Sequence, residues 1–224
     1  MICQRLHRAA ALGILFTAAS LLLLLRPLPL SGFDLEERVQ KHLLSNGLTV
    51  LLFEWHQSPT VSLYIRYRAG AVDEPEGKTG TAHLLEHMMF KGTKTIGSKS
   101  FSQERPILDK IADAGRLLDA ERRKKGRADA ARIETLTKRL EQLQQSHRRW
   151  TVSNEIDRLY TENGAADLNA STGQDLITYH VSLPANKIEL WARIESDRMR
   201  NTVFREFFAE RDVVMEERRQ RSES

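Results

Sequence analysis

One cysteine, Cys3, is all that 224 residues provide, and it stands near the very start. An internal disulfide is therefore excluded, as is any metal centre built on cysteine thiolates. Aromatic residues are sparse at 7%, the net charge is only +4, and no basic stretch is interleaved with aromatics. That balance points away from nucleic-acid binding. Long apolar runs are missing too, save one: Ala9 to Leu25 carries no charge and follows Arg5 and Arg8. The rest, with 41% hydrophobic and 29% charged residues overall, has the make-up of a globular protein. Its length suffices for one domain with a sizeable core.

The apolar run reads as a targeting segment. As a helix, its 17 residues reach about 25 Å, short of a hydrocarbon core of about 30 Å. With a basic start and the stop Arg26-Pro27-Leu28-Pro29, residues 1–31 form either a signal peptide cleaved near Ser31 or Gly32, or an uncleaved anchor. Both readings make the protein exported, to the periplasm or the extracellular space. Contact with a membrane is expected only through residues 9–25.

The stretch Gly80 to Thr93, GTAHLLEHMMFKGT, carries the chemistry. Its centre places His83 and His87 four apart with Glu86 between them, so on a helix all three side chains share one face. Two imidazoles presented in this way suit zinc, which takes nitrogen ligands at about 2.0–2.1 Å and in catalytic sites keeps a fourth position for water. Such water has a pKa near about 7, and a neighbouring carboxylate such as Glu86 can take its proton. Simple decoration of a surface helix is the competing reading of a five-residue match. Leu84, Leu85, Met88, Met89 and Phe90 argue against it, because polar groups in so apolar a helix are costly to bury unless something satisfies them.

Around this centre the chain alternates between strand and helix patterns. Asn46-Gly47 between apolar runs predicts a hairpin, and Val61 to Tyr67 alternates as a strand. His56 beside Trp55 reads as a loop histidine. From Phe101 to Trp150 the sequence is highly charged and broken near Lys124 to Arg127. Leu108, Ile111, Gly115 and Leu118 in one arm, and Ile133, Leu136, Leu140 and Leu143 in the other, predict a helical hairpin with a coiled-coil-like apolar seam. Its charges are read as a solvated face. A strand returns at Leu176 to Leu183, with Ile177, Tyr179 and Val181 opposite Thr178, His180 and Ser182. His180 is read as a strand residue. An amphipathic helix follows over Ile188 to Val203, then a break at Phe204 to Phe208, then a final helix. There Glu210 and Glu217 lie two turns apart and share a face with Val213 and Val214. Read by themselves, these acids fit an ordinary charged helix end as well as a site.

These residues resemble a known group. H-x-x-E-H is the inverted zinc-peptidase signature. The segment around it is similar to the pitrilysin and insulinase family, in particular its processing-peptidase-like bacterial members. The resemblance implies one Zn2+ per chain on His83 and His87, with Glu86 as general base. From the pattern E-x-x-V-V-x-E-E it implies Glu217 as third ligand and Glu210 as its support, orienting a histidine ring. Glu216 points about 100° away on an ideal helix and is not expected to ligate. Asn169, Ala170, Ser171 and Thr172 resemble the family's substrate-binding edge strand, onto which a peptide main chain is laid.

The implied fold is α+β, a two-layer half-domain over residues 32–224, mainly an antiparallel sheet with helices on one face. Placing both motifs in the family register requires the helical hairpin, about residues 103–152, to be an insertion in a loop, which costs little closure entropy. The implied activity is that of a zinc metalloendopeptidase acting on peptides or unfolded protein. Family members continue with a second half, so this chain is expected to be an N-terminal catalytic portion needing that half or a partner chain. The alternative is a non-catalytic peptide-binding or scaffolding subunit of the same family, against which the complete metal motif speaks.

Overall fold

The computed structural model describes residues 36–223, with side chains to 220. The expected targeting segment, 1–31, lies outside the described residues. Two compact units divide between His56 and Gln57. In the first, β1 (Val39–Leu43) and β2 (Thr49–Phe53) pair antiparallel. Gly47 takes φ +85° in the turn, a conformation glycine adopts without steric cost, and the Asn46 side chain accepts a hydrogen bond from the Leu48 amide at 3.1 Å. The Asn-Gly signal thus marks the hairpin as expected. His56 pairs with Glu54 at 3.1 Å.

The second unit is built on a three-stranded antiparallel sheet. β3 is Thr60–Tyr67, β4 is Ala166–Thr172 and β5 is Ile177–Pro184, in the order β3-β5-β4. Strict alternation puts every second residue of β5 in the interior, the Ile177, Tyr179, Val181 and Leu183 set. Leu63 opposes Val181 and Ile65 opposes Tyr179 on the same buried face. On the other face Tyr64 stacks on His180, centroids 5.6 Å apart. His180 is a strand histidine, as its place in the alternation requires.

Among the described residues there are six α-helices, in chain order α1 (Thr81–Met88), α2 (Phe101–Arg122), α3 (Ala130–His147), α4 (Glu155–Glu162), α5 (Ile188–Asn201) and α6 (Phe207–Glu223). Ile156 and Tyr160 of α4 and Ile194 of α5 pack with Leu63, Val181 and Leu183 to form the main core. Each such side chain removed from water stabilises the fold by about 1.5–3 kcal/mol. Ala82 and Met89 join Ile177 and Tyr179 in a second cluster, which seats α1 against the other end of the sheet. The architecture is the α+β arrangement expected. One expectation was too long: the helix after Pro184 ends at Asn201, leaving Val203 outside it.

The charged segment does fold as a helical hairpin, α2 against α3, with Ala114, Leu118, Leu140 and Leu143 in its seam. Phe208 of α6 packs into that seam, and at Gly115 there is no room for a side chain, since a Cβ would come within 1.9 Å of the Phe208 ring. The reading of its charges as purely solvated needs correction, because Glu104, Glu121 and His147 are buried. Glu104 is fully enclosed and is held by His147 at 2.7 Å, Ser98 at 2.6 Å and Arg205 at 2.6 and 2.9 Å. Burial by itself would raise the Glu104 pKa, but hydrogen bonds from His147, Arg205 and Ser98 outweigh it and bring it down to about 2.

Candidate metal centre

Helix α1 is short, and both of its ends are held by groups far from its own turns. At the start, Gly80 sits in the left-handed region at φ +99°. The Glu74 carboxylate accepts from the amides of Gly80 and Ala82, both at 2.8 Å, satisfying donors that helix geometry leaves unpaired. At the end, the buried Arg198 donates to the Met89 carbonyl at 3.0 Å while both Glu195 oxygens accept from it at 2.8 Å. Arg205 then donates to the carbonyls of Lys91 at 3.0 Å and Thr93 at 2.6 Å, fixing the segment that leaves the helix.

On this frame α6 crosses α1 and delivers two carboxylates. His83 Nε2 and His87 Nε2 face each other at 3.3 Å. Glu217 Oε2 lies 3.4 Å from His83 Nε2 and 3.9 Å from His87 Nε2. One ligand atom from each of His83, His87 and Glu217 falls within 4.8 Å of the others. Ligands about 2.0–2.1 Å from a tetrahedral zinc stand roughly 3.3 Å apart, so these three donors fit that ion in kind and in spacing. Among the described residues no other His, Cys, Asp or Glu group of three does so.

The remaining expected residues also gather here. Glu210 Oε2 lies 3.1 Å from His87 Nδ1, and Glu210 Oε1 lies 2.6 Å from the Lys91 ammonium. Burial alone would raise the Glu210 pKa, but its bonds to Lys91 and His87 lower it, so it is ionised at neutral pH. For Lys91, burial opposes the charge, while bonds to Glu210 and Glu206 outweigh that and raise the pKa. Glu86 accepts a hydrogen bond from the Thr172 hydroxyl. Glu216 turns elsewhere and pairs with Arg219 at 2.8 Å.

The strand carrying Thr172 lies at the edge of its sheet. Asn169 opposes His180, Ala170 opposes Tyr179, Ser171 opposes Thr178 and Thr172 opposes Ile177, all on β5. Among the described residues no strand pairs with the outer edge of β4. A register shift between Ala166 and Asn169, with Asp167 at φ +55°, interrupts the pairing just before this segment.

Residues 49–106 match the family described as insulinase, peptidase family M16. The chain carries an insulinase-family segment. Over 61 residues it is 41% identical to an uncharacterised zinc protease of Rickettsia bellii (strain RML369-C), a match covering 27% of this chain and 15% of that protein. In fold it is similar to a protease from Helicobacter pylori, with TM-score 0.55 and 22% identity, over 83% of this chain and 32% of that one. It is likewise similar to the first half of the periplasmic protease PqqL from Escherichia coli, with TM-score 0.52 and 23% identity, over 82% of this chain and 30% of that one. The chain thus spans less than a third of the length of either solved protease. The likeness in fold covers a larger share of this chain than the residues matched by the family.

Several residues that build the site carried no signal along the chain. Glu74 lies in a loop ahead of the helix, Arg198 and Arg205 fall outside the motifs read along the chain, and Lys91 lies within the Gly80 to Thr93 stretch without a role assigned to it there. Only the acid placed a few residues before a helix start could have been noticed, as a candidate cap for Gly80 and Ala82.

Proposed function

We propose that this chain is the metal-holding catalytic portion of a zinc metalloendopeptidase, exported from the cytoplasm and completed by a further half or a partner chain. The convergence of His83, His87 and Glu217, with Glu86 on the same helix face, carries the reading. Bound there, zinc would supply Lewis acidity toward water and a peptide carbonyl. Glu86 takes the proton from the attacking water and returns it to the nitrogen of the leaving amine, acting first as base and then as acid. Thr172 holds that carboxylate at the end of β4, so the base is positioned where the edge strand meets α1. A peptide laid along Asn169 to Thr172 would bind through its main chain, which recognises an extended backbone and tolerates many side chains. The periplasmic location in the name of the Escherichia coli relative supports export. Among the described residues no helix is long and apolar enough to cross a membrane.

Metal analysis tests the ligand set directly. The purified chain is expected to carry about one zinc, falling to near none in both His83→Ala and Glu217→Ala, because a catalytic zinc site has only three protein ligands to lose. Equal zinc in parent and variants would overturn the assignment. Zinc binding without cleavage, even when a C-terminal half is supplied, would instead favour a peptide-binding subunit.

A further inference from the structure

Lys91 is the last residue before Gly92 in the segment leaving α1, and the fold holds it at both ends. Its amide donates to the Met88 carbonyl at 3.1 Å, and its own carbonyl accepts from Arg205. Its ammonium reaches across to α6, where it meets two carboxylates, Glu210 Oε1 at 2.6 Å and Glu206 Oε2 at 3.1 Å. Glu206 can face it because the backbone there turns through φ +58° just ahead of α6. The two oxygens of Glu210 are thereby divided between two partners, Oε1 with Lys91 and Oε2 with His87 Nδ1.

That division has a chemical consequence. A carboxylate at Nδ1 keeps the proton on that nitrogen and leaves Nε2 with its lone pair free. In this site Nε2 is the atom that faces His83 and Glu217. Without Lys91, Glu210 would keep only its Oε2 contact with His87, and no ammonium would stand between its carboxylate and that of Glu206. We propose that Lys91 is a positioning residue for the metal ligand His87, acting through Glu210. It holds the carboxylate in the orientation that fixes the imidazole tautomer, and it offsets the negative charge gathered on α6. The inference rests on the metal reading above.

Zinc affinity of the purified chain, measured by competition with a chromophoric chelator, tests it in Lys91→Met, Lys91→Gln and Lys91→Arg. Lys91→Met and Lys91→Gln are expected to bind zinc about 10–100-fold more weakly, the usual cost of losing a group that orients a ligand, and Lys91→Arg to recover most of the loss. The visible spectrum of the cobalt-substituted chain is expected to shift in Lys91→Met and to return toward the parent in Lys91→Arg. Lowered thermal stability with zinc affinity within twofold of the parent would make Lys91 merely structural and overturn the proposal. Should Lys91→Met not fold, the Lys91→Gln and Lys91→Arg pair decides by the same affinity criterion. His83→Ala is measured alongside: if it keeps its zinc, the metal reading itself fails, whereas loss there with no change at Lys91 defeats this inference alone.

Discussion

Glu86→Gln is expected to keep its zinc and to lose peptide cleavage by about 10²–10⁴-fold, the contribution typical of a positioned general base. The substitution preserves shape, and the amide oxygen can still accept from the Thr172 hydroxyl, so the geometry around α1 is retained. What the amide cannot do is take a proton from water. Metal content is predicted to be unaffected because Glu86 is not one of the three groups whose donor atoms converge. Turnover is measured with the C-terminal half supplied, and zinc is counted in the same preparation. A variant cleaving within tenfold of the parent would remove Glu86 from the mechanism. Loss of both zinc and cleavage would mean that Glu86 holds the metal rather than the proton.

Arg205→Met is expected to destabilise the fold by about 3–5 kcal/mol, the cost of leaving a buried charge without its partner. Arg205 is 3% exposed and Glu104 is fully enclosed. Removing the guanidinium leaves the carboxylate with only His147 and Ser98, and it also frees the carbonyls of Lys91 and Thr93. The shift is read from the midpoint of urea unfolding; a change below about 1 kcal/mol, the range of exposed pairs, would show that the cluster contributes little. The same node sets an acid dependence. The Glu104 carboxyl is depressed in the folded protein to about 2 from 4.5. Its stabilising contribution is therefore complete above about 4.5 and is lost progressively as pH falls toward about 2. Thermal melts across that window are expected to fall more steeply for the parent than for Arg205→Met, in which the carboxyl is less depressed.

The buried cluster also explains why the hairpin could be recognised along the chain while its attachment could not. Leu118, Leu140 and Leu143 repeat at helical spacing, so a two-helix seam follows from the order of residues within each arm. Glu104 and Arg205 are 101 residues apart, the first on a helix rich in charges and the second in the turn between α5 and α6. Nothing local distinguishes a carboxylate that will be enclosed from one that will be hydrated. The small residue at Gly115 belongs to the expected seam, yet its reason, the Phe208 ring pressed against it from another helix, lies outside the hairpin altogether.

At the metal centre the division falls along the same line. His83, Glu86 and His87 occupy successive turns of a single helix, so the covalent chain places them on one face whatever the rest of the molecule does. Glu210 and Glu217 are related in the same way on α6, and the alternation of β5 assigns its buried and outer faces before any neighbour is known. Whether the two helices cross so that Glu217 reaches both imidazoles, whether Thr172 meets Glu86, and whether Lys91 finds Glu210 were settled only by tertiary packing. Periodicity aligns groups that share one element, because backbone geometry repeats. The meeting of groups on separate elements depends on how the sheet and helices bury their apolar faces, and that is a property of the whole folded unit.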